Sequence, residues 1–307
     1  DNPRGARRSH FLMRNLRKPI NSVIGETHRV HCGGCTITAE QLSHHPPTCA
    51  SHMHNEELGM SSVLVCTPKP VFQGTSVHIK MMGTLTVVLR LPNGMGEEEW
   101  KIGLPDIYMR LVGVEGPYTE TNAQTSITCL RTDDTGAREE FEAALTFKGR
   151  GSMGRSVNRN RMILVLKKRA KGSRGEFQQY NKVAGRWDRQ LVNESGEVWW
   201  TVKPKKPLSS VPAVVLDPVD QSTESWAIWG GLSDALLSGE TKKASRWKKG
   251  VEQAQRALHK TMKEAGTKWQ PRFFVQRADG HWDRRQTPLK LSPMWTESIE
   301  RALFKQG

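Results

Sequence analysis

Residues 84–91, TLTVVLRL, then Asn93-Gly94, then residues 100–104, WKIGL, read as one β-hairpin. Aliphatic and β-branched residues fill the arms, and Asn-Gly enters the left-handed backbone region that a tight reversal requires. Working outward, runs of the same kind occupy 62–66, 76–81, 108–114, 126–131, 141–147, 161–167 and 197–202, and Asp133-Asp134-Thr135-Gly136 supplies a second turn. Strands at this spacing, with no helical pattern between them, predict a large antiparallel sheet or barrel rather than a parallel βαβ fold. Beyond the Pro- and Lys-rich stretch 203–207 the pattern changes. Residues 241–265 lack Pro, are rich in Lys, Glu, Gln, Ala and Arg, and stop before Gly266, which predicts an exposed helix with a glycine stop. The predicted fold class is mainly β with a C-terminal helical portion.

The whole sequence has 307 residues, 36% of them apolar, which is too many for a disordered chain. The longest apolar runs, 162–166 and 212–216, are far too short to span a bilayer as helices. The net charge of +15 points to an anionic partner: nucleic acid, an acidic membrane surface or a phosphorylated small molecule. Five cysteines, an odd number, without a hydrophobic signal segment read as reduced thiols in a cytoplasmic protein.

Three constellations carry chemistry. Cys32-Gly33-Gly34-Cys35 followed by Cys49 and His52 has spacing that two thiolates of a tetrahedral zinc site use; the alternative is unrelated cysteines in and beside strands around a glycine turn. His44-His45-Pro46-Pro47 places two imidazoles on a turn whose backbone the prolines constrain, where both rings can face one anion. Lys248, Glu252 and Arg256 recur every four residues, so one helix face carries them all. Glu252 can hold both cations toward an anion, or the stripe is a solvated face.

At residues 40–47, EQLSHHPP, the sequence closely resembles the fingerprint of the oxysterol-binding protein family, Glu-Gln-Val-Ser-His-His-Pro-Pro, with Leu42 in place of Val. Upstream, residues 18–26, KPINSVIGE, are similar to the family's Lys-Pro-Φ-Asn-Pro-Φ-Φ-Gly-Glu segment. Downstream, Glu252 with Gln255-Arg256, and residues 269–274, WQPRFF, are similar to its closing helix and tail. The resemblance covers essentially the whole chain.

It implies a single lipid-binding domain over 1–307, with a β-barrel body at 1–230 and helices at 231–307. The barrel would be large, incomplete and antiparallel, around an apolar tunnel. Only 17 residues precede Lys18, so the resemblance implies that the N-terminal lid and first strands usual in the family are lacking. Phosphatidylinositol 4-phosphate would meet Lys18, His44, His45, Lys248 and Arg256, with the backbone at Ile20 and Asn21 on the glycerol phosphate and Glu252 orienting the cations. Ser22 replaces the family's Pro and is expected to loosen the turn that presents Lys18 and Asn21. A sterol or phosphatidylserine is the implied second cargo, and the implied location is cytoplasmic, peripheral at anionic membranes and organelle contact sites. Such a carrier needs no catalytic residue, cofactor, metal or nucleic acid. Two other functions fit parts of the pattern: a zinc-containing basic nucleic-acid-binding protein, and a phosphoinositide sensor that transfers nothing. The tryptophans at 199, 200, 226 and 229 read as packing residues, and the basic stretch 148–171 as either a membrane-docking surface or a solvated strand pair.

Overall fold

The computed structural model describes residues 20–111, 117–150, 158–169, 175–203, 213–215 and 221–301. In chain order the strands are β1 (Thr27–Cys32), β2 (Cys35–His44), β3 (Pro47–Asn55), β4 (Met60–Phe72), β5 (Ser76–Arg90), β6 (Glu97–Gly103), β7 (Ile107–Arg110), β8 (Tyr118–Thr121), β9 (Gln124–Thr132), β10 (Arg138–Lys148), β11 (Arg161–Arg169), β12 (Gln178–Arg186), β13 (Gln190–Asn193) and β14 (Val198–Thr201). Helices α1 (Ser225–Leu237) and α2 (Thr241–Glu264) follow. The fold is thus mostly antiparallel sheet with C-terminal helices, as predicted. The runs at 76–81 and 84–91 fuse into the single long strand β5, and α2 ends before Gly266, which takes the positive φ of a glycine stop.

The chain divides into two compact units that are interleaved in sequence. Within the described residues one comprises 20–31, 37–50 and 214–301, and the other 32–36 and 51–213.

In the second unit the strand order is β14-β13-β12-β11-β10-β9-β6-β5-β4, with β7 paired to β5 and β8 to β7. Its register sorts the side chains onto two faces. Leu64, Leu85, Ile102, Ile127, Ala143 and Leu166 form one cross-strand row. Val87, Trp100, Cys129 and Phe141 form the next, and Leu145, Leu164 and Val183 a third on the same face. The opposite face carries the row Thr86, Lys101, Thr128, Glu142 and Lys167, with Lys167 Nζ 3.0 Å from Glu142 Oε1. Because side chains alternate with period two, a one-residue slip would turn the whole apolar set to the polar side. The apolar face is incompletely covered: Cys129, Leu145 and Val183 are buried, but Leu64, Leu85, Trp100, Ile102, Ile127 and Phe141 are only half-buried.

On the polar face the stretch at 148–171 is, where described, a strand pair with cross-strand charge pairing, Lys167 with Glu142 and Arg169 with Glu140. Of the four tryptophans at 199, 200, 226 and 229, Trp229 is a core residue. Trp199 and Trp200 on the edge strand β14, and Trp226 in the first turn of α1, are each nearly half exposed, which corrects the packing role expected of them.

The first unit holds the helical core. Ile228, Trp229, Leu232 and Ala235 form the apolar stripe of α1, and Ala244, Val251, Ala254, Leu258 and Met262 that of α2, both at helical spacing. Val23, Ile24, Trp295 and Ile299 complete the cluster. Two glutamates from the recognised motifs serve this unit as buried acceptors. Glu26 takes hydrogen bonds from Val23 N–H at 2.9 Å, Ser225 Oγ at 2.6 Å and Trp229 Nε1 at 3.1 Å. Glu40, 1% exposed, accepts the backbone N–H groups of Arg272 and Phe273, each at 2.8 Å. Among the described residues no helix is long and apolar enough to cross a membrane.

Candidate anion-binding site

A cavity of about 380 Å³ in the first unit is lined by Asn21, Val23, His44, His45, Glu252, Gln255, Arg256 and His259. Its floor is made by the buried Val23 and Gln255, and its rim by exposed His45, Arg256 and His259. Three elements supply these groups. The end of β2 and the turn after it bring His44 and His45; the segment before β1 brings Asn21 and Val23; one face of α2 brings the rest at spacings of three and four residues.

The segment before β1 is tethered on several sides. Glu26 N–H donates to Val23 O at 3.0 Å, Gly25 N–H to Gln41 O at 2.9 Å, and Ile24 N–H to Gln255 Oε1 at 2.8 Å. These bonds hold the turn that follows Ser22. The Ser22 carbonyl lies 3.3 Å from His44 Nδ1, which orients the ring when that nitrogen carries a proton. The His44 and His45 rings meet edge to face with centroids 4.6 Å apart. Burial holds the His44 imidazole below its ordinary pKa, and the neighbouring His45 and His259 act in the same direction. On α2, Lys248 Nζ lies 3.7 Å from Glu252 Oε1, the carboxylate–cation contact that the four-residue spacing predicts.

Of the residues proposed from sequence, the structure brings Asn21, His44, His45, Glu252 and Arg256 to this one cavity. Ile20 is exposed and Lys248 is on the same helix, but neither lines it, and Lys18 lies outside the described residues. Sequence reasoning missed Val23, Gln255 and His259 as lining groups. Extending the helix stripe by three residues from Arg256 would have found His259. Gln255 is 4% exposed, and its Oε1 is committed to Ile24 N–H, so its amide N–H groups are what it can offer to a ligand.

The cysteines fall differently. Cys32 ends β1 and Cys35 begins β2, on either side of Gly33 and Gly34, whose φ angles of 55° and 76° make the tight turn. Among the described residues no three His, Cys, Asp or Glu side chains are grouped so as to hold a metal ion.

A family model described as oxysterol-binding protein matches residues 6–231. The chain belongs to the oxysterol-binding protein family. It is 27% identical to Protein KES1 of Mycosarcoma maydis over 95% of this chain and 74% of that protein. It is 29% identical to oxysterol-binding protein-related protein 4B of Arabidopsis thaliana, over 86% of this chain and 67% of the relative. Among solved structures, the Osh3 ORD of Saccharomyces cerevisiae in complex with PI(4)P aligns with a TM-score of 0.59 at 18% identity, covering 98% of this chain and 77% of that one. The Osh1 ORD domain in complex with cholesterol aligns at 0.64 and 17% identity, covering 94% and 72%. The chain therefore shares the fold of these family domains.

Proposed function

We propose that this chain binds phosphatidylinositol 4-phosphate by its headgroup in the His44–His45–Arg256 cavity and carries it between membranes, exchanging it for a second lipid. The observation that carries the reading is the convergence of two imidazoles and a guanidinium, from separate elements, on one cavity. Such donors make charge-assisted hydrogen bonds to phosphate oxygens, and recognition of this kind requires no covalent step. Lys248, next to Glu252, adds positive charge on the same helix. The half-buried apolar face of the sheet supports the second part of the reading. Lipid chains leave a bilayer only onto an apolar surface, since each exposed methylene costs about 0.8 kcal/mol. The solved relatives in complex with PI(4)P and with cholesterol agree in kind with such a pair of ligands.

The test uses the purified chain and vesicles of phosphatidylcholine with a few per cent phosphatidylinositol 4-phosphate. The wild type is expected to extract this lipid, and His44→Ala/His45→Ala to lose at least about tenfold in extraction, the loss of two charge-assisted contacts. Extraction unchanged in the double variant, at equal folded content by circular dichroism, rejects the assignment. Mass spectrometry of copurifying lipid names the second cargo, with sterol and phosphatidylserine as the two expected masses. Binding without transfer between two vesicle populations would mark a sensor instead.

A further inference from the structure

The family fingerprint accounts for His44 and His45 but not for a third imidazole on the same cavity. His259 lies on α2, three residues beyond Arg256 and seven beyond Glu252, so it continues the face that carries both. Its ring centroid is 6.1 Å from that of His45, with the planes at 85°, and His45 in turn is 4.6 Å from His44. The three rings thus form a chain among the groups that line the cavity.

We propose that His259 is a further anion-contacting residue of this site and makes its affinity for a phosphate monoester rise as pH falls through the imidazole range. The proposal rests on the headgroup reading above. Neutral imidazoles can sit side by side, whereas three protonated rings at these distances repel one another. Without an anion, burial and the neighbouring rings hold the His44 imidazole below its ordinary pKa. A dianion placed among the rings reverses the balance. Each ring that gains a proton then becomes a charged donor, so binding takes up protons and is favoured at lower pH.

The charged groups around His259 are consistent with this direction. On its own helix Arg256, Lys260 and Lys263 are cationic; of the acids, Glu252 lines the cavity 3.7 Å from Lys248, and Glu264 lies 3.8 Å from Lys260. Across the cavity stand His44 and His45, with the neutral Asn21 and Val23 beside them. No carboxylate besides Glu252 lines the cavity among the described residues.

The experiment compares the full chain with His259→Gln and His259→Lys, using vesicles with phosphatidylinositol 4-phosphate and, separately, with phosphatidylinositol, between about pH 6 and about pH 8. For the monoester lipid, the ratio of binding at the two ends of this range should fall about fivefold in His259→Gln relative to wild type, the scale of one exposed charge contact. His259→Lys should show a pH ratio as low as that of His259→Gln while binding more tightly than it at both ends of the range, because its charge persists. Titration of the phosphate itself is common to all three proteins and cancels in the comparison. Equal pH profiles in the wild type and both variants overturn the role of His259 while leaving the headgroup site standing. Absence of wild-type binding at every pH overturns both. Circular dichroism at each pH shows that the variants are folded, and His259 is exposed, so neither substitution disturbs the core.

Discussion

Replacing Glu40 with Ala should lower the stability of the chain by about 3 kcal/mol, although this residue does not line the cavity. Glu40 is 1% exposed and its two oxygens receive the N–H groups of Arg272 and Phe273, more than two hundred residues away in sequence. Truncation removes a buried carboxyl group, and the relief of its desolvation works in favour of the variant. Against that, two buried backbone N–H groups lose their acceptors, at about 1–3 kcal/mol each, and a cavity opens beside the buried Phe273. The loss wins because the donors remain fixed in place by the chain around them. Urea unfolding measures the difference, and a change below about 1 kcal/mol would refute this account.

A Glu40→Gln variant separates shape from charge. It keeps one acceptor oxygen but turns an amide N–H toward the other donor. Burial pushes the Glu40 carboxyl above its ordinary pKa of 4.5, against the pull of the two N–H groups and of Arg272. A folded-state pKa raised in this way contributes stability that is fully present below the ordinary glutamate range and lost as pH rises through the raised value. The wild type's advantage over Glu40→Gln should accordingly shrink as pH rises through that window, whereas a pair of pH-independent stability curves would contradict it.

Glu40 also marks how far the sequence could be read. The alternating strands of 84–104 and 126–167 were legible because one face of their sheet is apolar, so period-two patterning survives in the chain. Strands β1 to β3 were less so. Thr27 on β1 and Glu40 on β2 bind Glu224 and Arg272 within the first unit, and polar residues used as internal clamps erase the alternation. The fingerprint at 40–47 was visible as a string, and its histidines could be assigned from their chemistry. The role of its glutamate could not, since the partners at Arg272 and Phe273 are set by tertiary structure alone. His259 was missed for the opposite reason. Its helix is legible in the sequence, but the stripe of Lys248, Glu252 and Arg256 stops where the motif ends, short of the end of the face.

Gly25→Ala is expected to cost about 2–4 kcal/mol and to weaken headgroup binding together with stability. Gly25 sits at φ 75°, where an alanine loses about 1 kcal/mol. The larger part is contact: a β-carbon there would lie 2.4 and 2.6 Å from two ring atoms of Trp269 and 3.1 Å from Trp295 Nε1. Neither ring has room to yield. Trp269 packs against the core cluster, and Trp295 is fully buried with its indole N–H donating to Ile24 O at 2.8 Å. Overpacking of this kind costs about 1–3 kcal/mol more. Gly74→Ala is the matched control, because its φ is 68° and nothing lies within 4 Å of the added carbon, so only the backbone part, about 1 kcal/mol, should appear. The two variants also separate an effect on the site. Gly25 belongs to the turn that places Asn21 and Val23 on the cavity wall and fixes the Ser22 carbonyl against His44, so a shift of this turn misplaces one side of the anion site even in molecules that remain folded. Vesicle binding normalised to folded protein should fall in Gly25→Ala and stay at the wild-type level in Gly74→Ala. Equal binding by both would mean that the turn and the anion site are not coupled.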